Sequence, residues 1–83
     1  WAGCNLIGSL FSDRRLKENI KQIGRSPSGI KIYTFEYKNK NIGDGIYQGV
    51  MSDEIPRDAV VKHDSGYDMV DYSKLDVEFK NLI

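Results

Sequence analysis

Ser12 and Lys17 form the one constellation in this sequence with a catalytic mechanism open to it. A serine hydroxyl is a weak nucleophile and needs a base. A lysine can be that base when burial or nearby positive charge holds it neutral. Serine–lysine pairs are a variant of the catalytic triad. Spacing sets a condition: five α-helical steps of about 100° leave two residues roughly 140° apart. The pair therefore meets only if Ser12 lies in irregular chain entering the segment, or if Lys17 comes from a neighbouring subunit. Ser–x4–Lys alone is a weak signal. On spacing alone the plainer reading is favoured, with Ser12 an N-cap and Lys17 a solvated side chain.

Other chemistry finds little support. There is no phosphate loop and no dinucleotide fingerprint. Cys4 and His63 are each the sole residue of their type, so an internal disulfide and a Cys/His zinc set are both excluded. No metal or cofactor is expected. A Cys4–His63 nucleophile is formally available, but nothing local supports it, and His63 in KHDSGY reads as a turn residue. Asp53 and Glu54 could orient Lys17 or a water, yet they fit better as the acidic start of a helical turn. Tyr33, Phe35, Tyr37, Tyr47, Tyr67 and Tyr72 could stack on a host-surface glycan. Sheet-face packing or subunit contacts account for most of them more simply.

Composition narrows the class. The 83 residues carry 12 Lys+Arg and 12 Asp+Glu. A net charge of zero argues against a nucleic-acid binder working by phosphate neutralisation. The 40% hydrophobic content, with one Trp, five Tyr and three Phe, argues against disorder. No window approaches the roughly 20 apolar residues of a membrane span. A domain this small buries only about 60% of its unfolded surface, so oligomerisation or attachment to a larger chain is the expected support. The opening WAGCNLIGSLF is uncharged and begins without Met. It reads as a linker or the end of a preceding domain over residues 1–11, rather than a signal-peptide remnant, because a charged n-region is missing.

The elements that must carry the pair follow from periodicity. Leu16, Ile20 and Ile23 fall at i, i+4 and i+7, which predicts a helix over SDRRLKENIKQIG, capped by Ser12 or Asp13 and ended by Gly24. IKIYTFEYK alternates with period two and predicts a strand, with Lys31, Tyr33, Phe35 and Tyr37 on one side. A turn at NKNIGDG, strongest at Asp44-Gly45, leads to IYQGVM as the partner strand of a β-hairpin. SDEIP suits one helical turn stopped by Pro56. AVVK and MVDY read as short strands about the HDSGYD turn, and Asp71–Ser73 as a strand-to-helix junction. Leu75, Phe79 and Leu82 predict a short terminal helix capped by Ser73. The expectation is a small α+β domain on an antiparallel sheet.

The run Ser12-Asp13-Arg14-Arg15-Leu16-Lys17-Glu18-Asn19-Ile20 resembles the opening signature of the peptidase S74 family, the intramolecular chaperone domain of endosialidases, phage tail fibres and tailspikes. Tyr33-Thr34-Phe35-Glu36-Tyr37 resembles that family's strand before its hairpin, and the stretch from Gly45 to Pro56 its "GxxAQEvxxxxP" segment. Ala59-Val60-Val61 and the stretch from Met69 to Leu75 resemble its closing strand and helix start. The resemblance spans residues 12 to about 79. It implies a domain, here residues 12–83, that helps a trimeric β-rich fibre fold and then cuts itself off. Ser12 would be the nucleophile, Lys17 the base, and Phe11–Ser12 the scissile bond, although the sequence leaves open which side of Ser12 is cut. The implied partners are its own chain, two further copies and other virion tail proteins. The implied location is the virion, after folding in the host cytoplasm. Many family members continue into long C-terminal helices, whereas this sequence ends at Ile83. The alternative is a non-cleaving structural or adhesion module retained in the virion.

Overall fold

The computed structural model describes residues 9–83. Cys4 and most of the 1–11 segment lie outside the described residues. Among the described residues seven strands form two antiparallel sheets. They are β1 (Ser9–Phe11), β2 (Lys17–Arg25), β3 (Lys31–Tyr37), β4 (Tyr47–Gly49), β5 (Val60–Lys62), β6 (Asp68–Asp71) and β7 (Lys80–Asn81). One sheet has the order β1-β6-β5, the other β2-β3-β4-β7.

The hairpin is formed as expected. β3 pairs with β4 through Tyr33↔Gly49, Thr34↔Gln48 and Phe35↔Tyr47. Period-two alternation puts Tyr33, Phe35 and Tyr37 on the inner face, where they are buried with Tyr47 and Met51. A second cluster gathers Val50, Val70 and Val77. Four of the six aromatics considered as a glycan surface, Tyr33, Phe35, Tyr37 and Tyr47, are therefore core residues, at most 8% exposed. Tyr67 is half-buried under the Arg15 guanidinium. Those four serve packing rather than an exposed stacking platform.

The helical expectations are corrected. Among the described residues every helical piece is a three-residue 3-10 turn: Arg14–Leu16, Ser52–Glu54, Arg57–Ala59 and Tyr72–Lys74. Residues 17–25 are strand, not helix, and most of them are exposed. Two β-bulges, between Glu18 and Lys21 and between Gln22 and Gly24, each insert a residue and reset the alternation. That irregularity produced the false helical spacing of Leu16, Ile20 and Ile23; Ile23 is 50% exposed. Asn19 takes the left-handed conformation at the first bulge, which asparagine tolerates well. The edge position of β2 suits its Lys, Glu and Arg side chains, which discourage further pairing. The terminal helix is also absent. Leu75, Val77 and Phe79 turn inward at period two, while Leu82 is exposed. This extended segment ends in β7, which pairs with β4.

Candidate functional site

Ser12 follows β1 of the first sheet, Tyr72 follows β6 of the same sheet, and Lys17 opens β2 of the second. β1 ends at Phe11, and Ser12 follows it in extended chain before the Arg14–Leu16 turn. Ser12 N–H donates to the Asp68 carbonyl at 3.2 Å, and Ser52 N–H donates to the Ser12 carbonyl at 3.0 Å. Ser12 is thus pinned on both sides and wholly buried. Asp13 holds the bend that follows. Its carboxylate accepts from Arg15 N–H at 2.9 Å, from the Arg15 guanidinium at 2.7 and 3.0 Å, and from Asp68 N–H at 3.0 Å. The cap expected at Ser12 or Asp13 is Asp13, on a 3-10 turn rather than an α-helix.

That bend returns the chain to open β2 at Lys17. Lys17 Nζ donates to Ser12 Oγ at 2.9 Å and to the Val50 carbonyl at 2.8 Å. The two residues meet within one chain, because Ser12 lies outside any regular helix. Lys17 is 3% exposed, with Nζ 3.8 Å from the centre of the Phe35 ring and 3.9 Å from Met51 Sδ. Among the described residues no carboxylate is paired with it. Burial, reinforced by the Arg14 charge, holds the amine well below its ordinary 10.5; the charges of Asp13 and Asp53 oppose this by less. The neutral amine is the form with a lone pair to accept a proton.

Ser12 Oγ donates to the Val50 carbonyl at 2.8 Å and lies 3.0 Å from the Tyr72 hydroxyl. Tyr72 Oη accepts from Val50 N–H at 3.0 Å, which leaves its own proton available for Ser12 Oγ. Burial raises the phenol's pKa, so it stays protonated. With Tyr72 donating to Oγ, the serine proton is free to turn from Val50 to Lys17 Nζ. Gly49 makes this arrangement possible: a Cβ there would collide with Tyr72 Oη. Tyr37 completes the surroundings, donating its hydroxyl proton to the Phe11 carbonyl oxygen at 2.6 Å.

Comparison with protein-family models, curated proteins and solved structures finds no match.

The remaining candidates sit apart from the pair. Asp53 is bound to Arg14, and Glu54 accepts from Tyr33 at 2.6 Å and pairs with Arg14 and Lys31. Neither contacts Lys17. His63 is an exposed turn residue whose Nδ1 meets Ser65, with its ring 4.9 Å from that of Phe11. Among the described residues no cluster of His, Cys, Asp and Glu suits a metal. Sequence reading passed over Tyr37 and Tyr72 as reactive groups, because a tyrosine in an alternating strand or at a strand end is indistinguishable from packing.

Asp13 gives a direct test of the bend. Asp13→Ala leaves two part-buried backbone N–H groups, of Arg15 and Asp68, without their acceptor and should cost about 2 kcal/mol in urea unfolding. Arg15 holds the carboxylate far below its usual range. The stabilisation it gives is therefore complete above the ordinary value near 3.8 and is lost as pH falls below that. Asp13→Ala should flatten this acid limb.

Proposed function

We propose that this domain is a self-cleaving serine endopeptidase acting once on its own chain, with Ser12 as nucleophile and Lys17 as general base. The observation that carries the reading is Lys17 Nζ, buried without a paired carboxylate, 2.9 Å from the Ser12 hydroxyl. An ordinary structural lysine is solvated or ion-paired, since burying an unpaired ammonium is costly. A lysine kept neutral beside a hydroxyl has the protonation state a base requires.

The proposed reaction is an acyl transfer from the Ser12 nitrogen to its own hydroxyl. Ser12 Oγ attacks the Phe11 carbonyl carbon and gives its proton to Lys17. The Phe11–Ser12 C–N bond breaks, and Lys17 returns the proton to the Ser12 nitrogen, leaving an amine and a Phe11–Oγ ester. Water then splits the ester into the Phe11 carboxylate and the regenerated hydroxyl. The phenol on the Phe11 carbonyl oxygen favours cutting on this side of Ser12. The resemblance to the S74 family extends the proposal: a chaperone domain of a phage fibre or spike, trimeric or seated on a trimeric stem, released after folding.

The ester provides the test. Hydroxylamine added to the full-length protein should speed chain separation and leave a hydroxamate on Phe11, read by mass spectrometry, while the complete protein sediments as a trimer. Cutting without any hydroxamate would reject the ester route. The second reading, a retained structural module, is favoured by the full burial of Ser12, which restricts water. It predicts one stable, uncut mass.

A further inference from the structure

We propose that Tyr37 is a third catalytic residue of this self-cleavage, its phenol stabilising the oxyanion that forms on the Phe11 carbonyl. The inference rests on the self-cleavage reading and adds the group that stabilises developing negative charge, which a nucleophile and a base alone do not supply.

Strand geometry selects Tyr37 for this contact. β1 is the edge of its sheet, with β6 on one side only. Residues of an antiparallel pair alternate between exchanging and not exchanging hydrogen bonds. Ser12 N–H is the residue bonded to Asp68, so Phe11, one step earlier, sits at a non-exchanging position with its carbonyl turned off the sheet edge. The Tyr37 hydroxyl meets that carbonyl oxygen at 2.6 Å, at the short end for a bond between hydroxyl and carbonyl oxygens.

Register then couples the base and the phenol. Lys17 and Tyr37 are directly opposite across β2 and β3, and opposite residues present side chains on the same face. From that one cross-strand pair, Lys17 reaches Ser12 Oγ at 2.9 Å and Tyr37 reaches the Phe11 oxygen at 2.6 Å. The attacking atom and the oxygen that takes up charge are served from opposite positions of one strand pair. The Tyr37 ring packs on Phe35 and Tyr47, a role that phenylalanine would fill equally. The hydroxyl is the part that packing does not require.

As Oγ attacks, the carbonyl π electrons move onto the Phe11 oxygen, and the phenol's hydrogen bond to it strengthens. The phenol keeps its proton throughout. When the C–N bond breaks, the electrons return to re-form the carbonyl of the ester. Tyr37 enters and leaves the cycle unchanged.

The test is Tyr37→Phe in the full-length chain, beside wild type. Cleavage should slow by roughly 10²–10³-fold, the usual cost of one oxyanion donor. The midpoint of its pH–rate curve, set by Lys17, should stay where it is in wild type. In a Ser12→Ala background with ¹³C at the Phe11 carbonyl, Tyr37→Phe should move the carbonyl stretch to higher wavenumber. If Tyr37→Phe folds poorly, 3-fluorotyrosine in place of Tyr37 keeps the ring and makes a stronger donor. Cleavage should then speed up several-fold at a pH where that phenol remains protonated. Wild type that stays uncut defeats the self-cleavage reading itself. Cleaving wild type with an unchanged rate in Tyr37→Phe, or in the fluorotyrosine protein where Tyr37→Phe does not fold, defeats this inference alone.

Discussion

Ser12→Ala and Lys17→Ala should each leave the full-length chain at its uncut mass, with self-cleavage reduced on the order of 10⁴-fold or more, because nucleophile and base act as a unit. Lys17→Arg should fail equally. A guanidinium stays protonated at every usable pH and has no lone pair to accept the Ser12 proton. The wild-type rate should rise with pH as Lys17 Nζ deprotonates, and its midpoint should lie below the ordinary 10.5, since burial disfavours the ammonium. Dilution should leave the rate unchanged once the assembly has formed, because hydroxyl, amine and scissile bond belong to one chain. Time-resolved intact-mass spectra of the four proteins decide the matter. Cutting that persists in the Lys17→Arg protein would assign the proton to another base or the cut to a foreign protease.

The sequence carried the pair and the hairpin more clearly than the elements around them. β3 was legible because three alternating inward positions, Tyr33, Phe35 and Tyr37, are interrupted by nothing. The loop after β3 was legible from its composition, and Gly45 in it takes a positive φ of 94°, but its hydrogen-bonded turn lies earlier than Asp44-Gly45, closed by Ile42 N–H on the Asn39 carbonyl. The segment from Lys17 to Arg25 was not, because its two bulges break the period that identifies a strand. In the C-terminal segment, Leu75, Val77 and Phe79 do alternate, but Leu82 supplied a competing helical spacing that only its 45% exposure dismisses. The helical geometry argued correctly that Ser12 and Lys17 need an irregular entry, which the Asp13 bend provides. The other two hydroxyls at the site could not be read locally. Tyr37 reaches across 26 residues to Phe11, and Tyr72 across 60 to Ser12. The first contact exists only once the two sheets pack together, and the second links the segments that follow β1 and β6 of one sheet.

Replacing Lys17, the proposed base, by an apolar residue should make the domain more stable and prevent the proposed self-cleavage. Lys17→Met keeps the length and most of the volume of the side chain. It removes an amine that the fold buries without a compensating negative charge. Two hydrogen bonds from Nζ are lost, yet the Val50 carbonyl still accepts from Ser12 Oγ, and Ser12 keeps Tyr72. No buried polar atom is stranded, so the usual penalty for deleting a partner does not apply. The sign of the pH dependence separates this effect from simple repacking. In the unfolded chain Lys17 holds its proton up to about 10.5, whereas the folded chain releases it at lower pH. Between those two values folding expels a proton, so wild-type stability rises with pH throughout that window. Below 10.5 the wild type carries the cost of burying or discharging this amine, and Lys17→Met does not. Each ~1 kcal/mol recovered should raise Tm by roughly 4–8 °C in a domain of this size. Thermal melts of both proteins from pH 6 to 10, in a Ser12→Ala background to prevent cutting, should show Lys17→Met melting higher at pH 7 and the gap narrowing as pH rises. A lower Tm for Lys17→Met at every pH would mean that the amine is charged and stabilising in the fold, and the base assignment would fall with it.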